Sequence, residues 1–202
     1  MKRFTFKRIL ATISVVCLCA ITTVILAEYI KSNKGYESFV DTYSSECYSM
    51  RAKDGYKIIN SKMGKTTLNK IDWLLASDQH TDTLVIFSKK SKRGYFNRYT
   101  GEVTIPEQYT HAWIFAEGLA AVVSNDKVGF INRQGKVVID FQYPYFKDNE
   151  KSINFVFRNG YCSMFDESGK CGIINQKGEW VLVPSFDYIE TPVYRSLIHI
   201  SE

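Results

Sequence analysis

The loop Ser77-Asp78-Gln79-His80-Thr81-Asp82 places two carboxylates and an imidazole within five positions. Asp78, His80 and Asp82 could serve a metal ion or act as an acid–base pair, since both side-chain types carry lone pairs and exchange protons. The same composition also describes an ordinary solvated loop. The five cysteines are less suggestive. Cys17 and Cys19 fall in an apolar run, and Cys47 and Cys162 sit where equivalent segments carry leucine, as small apolar side chains do. Cys171 should face a residue near Asp166 across a hairpin, which disfavours a disulfide with Cys162. There is no Cys-x-x-Cys pair and no spaced Cys/His set, so no metal site is expected. A phosphate-binding glycine loop and a serine nucleophile motif are also missing, which leaves no catalytic residue and no cofactor to assign.

Binding chemistry has a different set of candidates. Trp73, Trp113, Tyr143 and Tyr145 lie in segments that connect one apolar cluster to the next. Aromatics in such places seal joints between packed elements. Left exposed, they would form a platform for a peptide or glycan. His111, two positions before Trp113, has no role readable from sequence. The run Lys89-Lys90-Ser91-Lys92-Arg93 is the one basic cluster, and it falls where a hairpin turn is expected, so it reads as a solvated turn. Net charge is +5, of which the first 30 residues carry +3. The remainder is close to balance, which argues against a nucleic-acid partner.

These residues are positioned by a recurring phrase. It reads Gly94-Tyr95-Phe96-Asn97-Arg98-Tyr99-Thr100-Gly101, then Gly129-Phe130-Ile131-Asn132-Arg133-Gln134-Gly135, then Gly172-Ile173-Ile174-Asn175-Gln176-Lys177-Gly178. A worn copy runs from Lys57 through Asn60 to Gly64. Successive copies begin 37, 35 and 43 residues apart, a period that marks a repeat array. An apolar segment begins ten residues before each phrase, at Cys47, Leu84, Leu119 and Cys162. Within the phrase, Asn60, Asn97, Asn132 and Asn175 open a turn that Gly101, Gly135 or Gly178 closes. Asn can bond the backbone two residues on, and glycine accepts the positive φ such a turn needs. A third strand follows, for example Lys136-Val137-Val138-Ile139. The expected unit is three short antiparallel strands and a longer return. Leu119-Ala120-Ala121-Val122 is apolar on both faces, so neighbouring units should cover it on both sides. The expectation is an all-β array of roughly four such units, arranged as a solenoid or a propeller-like ring.

Phe115-Ala116-Glu117-Gly118-Leu119-Ala120-Ala121-Val122, followed by Gly129-Phe130-Ile131-Asn132 and Gly135-Lys136-Val137-Val138-Ile139, resembles the bacterial WG-repeat family over about residues 47–190. The family's Trp before Gly is replaced by Arg93, Val128 and Cys171. The resemblance implies a β-rich scaffold and brings no catalytic residues with it.

Lys2, Arg3, Lys7 and Arg8 precede an uncharged run from Ile9 to Ala27. As a helix, the run would span roughly 28 Å, close to the thickness of a bilayer's hydrocarbon core. The basic flank predicts a cytoplasmic N-terminus and an exported array, with release after signal cleavage as the alternative. The expected organisation is a basic segment at 1–8, a transmembrane helix or signal anchor at 9–30, a linker at 31–46 and repeats over 47–194. Residues 195–202, Arg195 to Glu202, break the pattern and resemble the translation of a sequencing-adapter tail. On that reading the array is incomplete and a further unit follows in the intact protein. The function expected from sequence is a membrane-anchored, non-catalytic scaffold that binds an unknown protein or glycan on the outer side of the membrane. The alternatives are an envelope enzyme using the Asp78/His80/Asp82 loop and a purely structural envelope protein.

Overall fold

The computed structural model describes residues 37–79, 82–147 and 155–189. The apolar run at 9–27, His80 and the 195–202 segment lie outside the described residues. Among the described residues, no helix is long and apolar enough to cross a membrane.

The β-branched and aromatic runs form strands, and each group of strands closes into its own antiparallel sheet. The first unit is β1 (Ser38–Ser44), β2 (Cys47–Ala52), β3 (Gly55–Asn60) and β4 (Lys65–Ile71). The second is β5 (Trp73–Leu74), β6 (Leu84–Lys89), β7 (Lys92–Asn97) and β8 (Val103–Tyr109). The third is β9 (His111–Ala112), β10 (Ala120–Ser124), β11 (Lys127–Ile131) and β12 (Val137–Pro144), and the fourth is β13 (Tyr161–Phe165), β14 (Cys171–Asn175) and β15 (Trp180–Phe186). In every unit the strands pair in chain order.

Two expectations need correcting. The first three units have four strands: the return segments contribute the two-residue strands β5 and β9 to units two and three, and β1 opens unit one. Two residues are too few to show a strand's alternation, so sequence periodicity missed them. In addition, β1 lies inside the stretch read as a linker over 31–46, so the first unit begins at Ser38.

The phrase's first glycine sits at a bulge. Pairing between β7 and β8 slips between Arg93 and Tyr95, and the corresponding slips flank Gly129 and Gly172. The bulged strand presses its backbone onto the glycine, and a Cβ at Gly94 would lie 2.6 Å from the carbonyl oxygen of Ile105. Lys57 occupies this place in the worn copy.

Units stack face to face. Ala120 and Val122 of β10 pack in a core shared with the first two units, and Leu119, Ala121 and Val123 pack in a core shared with the fourth. The strand is therefore covered on both faces. Each unit's last strand meets the first strand of the next unit's central hairpin, β4 against β6, β8 against β10 and β12 against β13.

Candidate functional site

Each sheet has two ends, and they differ in chemistry. At one end lie the turns opened by asparagine. Asn132 Oδ1 accepts from the amides of Gln134 and Lys136, both at 3.0 Å, and Asn175 Oδ1 accepts from Lys177 at 2.9 Å and Glu179 at 3.0 Å. Asn97 Oδ1 accepts from Tyr99, and Asn60 Oδ1 from Met63, both at 2.9 Å. Gly101, Gly135 and Gly178 close their turns with φ of 73°, 77° and 80°. Gly118, outside those turns, also has positive φ, at 86°, because Glu117 and Gly118 form a tight hairpin turn between Ala116 and Leu119.

Bonds at this end also run between units. Asn60 Nδ2 donates to Thr100 O at 3.0 Å, and Arg98 Nε donates to Tyr43 O at 2.8 Å. Tyr143 Oη donates to Gly178 O at 2.5 Å, and Tyr143 is buried edge-on against Trp180. Tyr143 thus seals the joint between units three and four. Asp82 is engaged here as well: both of its oxygens accept from Arg133 of the third unit. Burial alone would raise the Asp82 carboxyl, but hydrogen bonds from Arg133 and the Leu84 amide outweigh it and hold the group below its ordinary value. Asp78 is exposed, and His80 lies outside the described residues. Among the described residues, no three His, Cys, Asp or Glu side chains gather as metal ligands.

The opposite end carries the first hairpin turns, where Lys90–Ser91 and Asn125–Asp126 hold positive φ at both central positions. Here β5 pairs Trp73 with Ser88, and β9 pairs His111 with Val123. Trp73, His111, Trp113 and Tyr145 are brought to this region, the last through its amide bond to Asp126 O at 3.0 Å. The His111 and Tyr145 rings lie 4.6 Å apart, and Trp113 packs edge-on to both Tyr145 and Phe155. Trp73 is 42% exposed.

Sequence reasoning missed Arg93. Lys90, Ser91 and Lys92 are solvated, as the charge run suggested, but Arg93 turns inward. Its guanidinium carbon lies 5.3 Å from the centre of the Trp73 ring, and Nη1 donates to Ala112 O at 3.2 Å. Among the described residues, no carboxylate pairs with it. Burial lowers its pKa from the ordinary value, yet a guanidinium remains charged. The available signal was its place in the phrase, where Arg93 stands immediately before Gly94. His111 was also passed over. Its Nδ1 is buried without a hydrogen-bond partner. Burial first, then the charges of Arg93 and Lys147, push the imidazole down, so it is neutral at pH 7. An arginine without a carboxylate, a neutral imidazole and three rings can receive an anionic group flanked by apolar surface.

The buried cysteines complete the inventory. Cys47, Cys162 and Cys171 are free thiols, with Cys162 opposite Ile174 and Cys171 opposite Phe165. Burial pushes Cys47 up to about 11 and raises the other two, which keeps all three protonated and unreactive.

The WG containing repeat matches residues 94–127, 129–162 and 172–194, each match beginning at the phrase's first glycine in units two, three and four. The chain carries WG containing repeats over residues 94–194. The first unit lies outside that match, and Lys57 stands at its glycine position. No curated protein matches the chain. Among solved structures it is similar to Kluyveromyces lactis Hsv2, at 11% identity over 69% of this chain and 46% of that one, with a TM-score of 0.38. It is also similar to BamB from Moraxella catarrhalis, at 15% identity over 71% and 46%, with a TM-score of 0.39. A third likeness is to the computationally designed Ika4 protein, at 12% identity over 68% and 91%, with a TM-score of 0.37. The chain spans about half the length of the Hsv2 and BamB chains.

Proposed function

We propose that this WG-repeat chain is a non-catalytic binding scaffold whose hairpin-turn end takes a carboxylate-bearing segment of a protein or glycan. The observation that carries this reading is Arg93, half-buried, stacked on Trp73 and without a carboxylate among the described residues. Trp113, Tyr145 and His111 stand beside it and supply flat apolar contact at low entropic cost. Trp73 and Tyr145 contribute to binding on this reading, whereas Tyr143 holds the array together. The enzyme alternative is weakened by Asp82, whose two oxygens are occupied by Arg133.

The intrinsic fluorescence of Trp73 and Trp113 offers the test. Titration with polyglutamate and with polygalacturonate, at low and high salt, should quench the signal for at least one polymer, more strongly at low salt. Arg93→Ala should abolish the response, and quenching that survives the substitution contradicts the site. We further propose that the segment at 9–30 anchors the array on the outer side of the membrane, a reading supported by its 19 uncharged residues and four preceding basic ones. A reporter joined after residue 190 should then be active only outside the cytoplasm.

A further inference from the structure

A group of cations stands without a carboxylate partner at one corner of the array. Around the hairpin turns of the first two units lie Arg51, Lys53, Lys89, Lys90 and Lys92, with Asp54 and Asp72 as the acids beside them. Among the described residues, none of these cations pairs with a carboxylate. Arg51 donates instead to Tyr56 Oη at 2.9 Å, and Asp72 Oδ2 accepts from the Ser91 amide at 3.1 Å. At the same end of units three and four, Lys127 pairs with Glu167, Lys147 with Asp126 and Lys170 with Asp187. At the asparagine turns, Lys62 pairs with Glu46, Lys65 with Glu102 and Arg133 with Asp82.

The described chain also enters the array at this end. Ser38, the first residue of β1, pairs with Arg51, and Trp73, the first of β5, pairs with Ser88. Arg51 and Ser88 both stand six positions before the phrase, so Ser38 holds the register place of Trp73. β1 therefore runs from the hairpin turns toward the asparagine turns, and Lys57 pairs with Glu37 where it begins. Seven residues, 31–37, separate β1 from the segment at 9–30, and that many reach at most about 25 Å.

We infer that the hairpin-turn corner of units one and two lies on the headgroup phosphates of an anionic phospholipid surface. The inference rests on the reading of 9–30 as an anchor and goes beyond it by fixing which end of the array faces the bilayer. Lysines on flexible stems meet phosphates here without giving up an existing partner. The attraction falls off within a Debye length of the surface, so an end held close by a short tether gains most from it. Arg93 and the rings beside it sit one row behind the tip, because Ser88 and Arg93 pair one step further from the turn than Lys89 and Lys92. A segment bound at Arg93 would thus run along the membrane surface, and the two contacts use different side chains.

The full-length chain reconstituted into vesicles of phosphatidylcholine, with and without phosphatidylglycerol, tests the inference. A dye at Ser91→Cys marks the hairpin tip and one at Gln134→Cys marks an asparagine turn, with Cys17 and Cys19 replaced by alanine and the remaining thiols buried. Energy transfer to an acceptor on the lipid headgroups then reads which end lies nearer. With phosphatidylglycerol present, transfer from Ser91→Cys should exceed that from Gln134→Cys at least about twofold, and high salt should shrink the excess. The combined variant Lys89→Gln, Lys90→Gln, Lys92→Gln should remove it. Equal transfer from the two labels overturns the inference. An excess that the lysine substitutions leave unchanged overturns it too, and loss of anionic-polymer binding in that variant would assign the cluster to the ligand site. Resistance to alkaline carbonate extraction reads the anchor separately. A chain that resists extraction but gives equal transfer keeps the anchor and loses the inference. A chain that is extracted, yet sediments with phosphatidylglycerol vesicles at low salt only while the lysines are intact, keeps the surface contact and loses the anchor. One that is extracted and does not sediment loses both.

Discussion

The asparagine-turn end and the hairpin-turn end belong to the same strands, yet they spend their polar groups differently. At the first, Asn60, Arg98, Asp82 and Tyr143 all bond across a unit boundary, and the turn glycines lie against the preceding unit. At the second, Arg93 Nη1 crosses to Ala112 O and the solvent-exposed ion pair Lys127–Glu167 joins units three and four, while among the described residues Arg93 has no carboxylate partner and His111 Nδ1 has no hydrogen-bond partner. Exposed pairs contribute little to stability. The difference separates scaffold from surface: one end holds the units in register, so the other is free to carry a ligand site.

Glycine substitutions probe that division most severely. Gly94→Ala forces a Cβ into the backbone of β8, and the expected loss is about 3 kcal/mol in urea unfolding. Gly178→Ala combines strain at φ 80° with a 2.8 Å approach to Ile139, for an expected loss of about 2 kcal/mol. Gly64→Ala, with the same sign of φ and open space, should lose about 1 kcal/mol. Equal losses at Gly64 and Gly178 would show that the turns do not brace the units.

The Asp82–Arg133 bridge should have a smaller, pH-dependent effect. The Asp82 carboxyl is held below its unfolded value, so its contribution is present above about pH 4 and is lost as pH falls through the lower folded value. Asp82→Asn should lower stability at pH 7 by about 0.5–1 kcal/mol, reduced because Arg133 is half in solvent. The gap between wild type and variant should close in acid. A difference that persists unchanged at pH 2 would mean that the carboxylate's charge is not what matters.

Smallest of all should be the stability effects at the hairpin end. Trp73→Ala is expected to shift unfolding by less than about 0.5 kcal/mol, since the residue is 42% exposed. A loss comparable to that of Gly178→Ala would make Trp73 a structural seal.

The array was legible because hydrophobic spacing and the Asn-x-x-Gly turn are local signals, and β6, β7, β10 and β11 lie where they point. What escaped depends on distance or brevity. Trp73–Leu74 and His111–Ala112 are too short to alternate, and the Arg133–Asp82 bond spans 51 positions with no local trace. Arg93 was hidden inside a lysine run that is otherwise solvated, and only the register of Gly94 turns it inward. Gly94 itself reads in sequence as part of a motif, and its physical cause, the crossing bulge of β8, needs the paired strand to be seen.

The separation of scaffold from surface is tested most directly by measuring both properties on two variants. Gly178→Ala and Arg93→Ala would each be taken through urea unfolding and through titration with the anionic polymer that quenches the wild type. The account predicts opposite outcomes. Gly178→Ala lowers the unfolding midpoint and binds as the wild type does. Arg93→Ala keeps a midpoint within about 1 kcal/mol of wild type and loses at least about tenfold in affinity. A midpoint for Arg93→Ala as low as that of Gly178→Ala, with polymer binding intact, would contradict it.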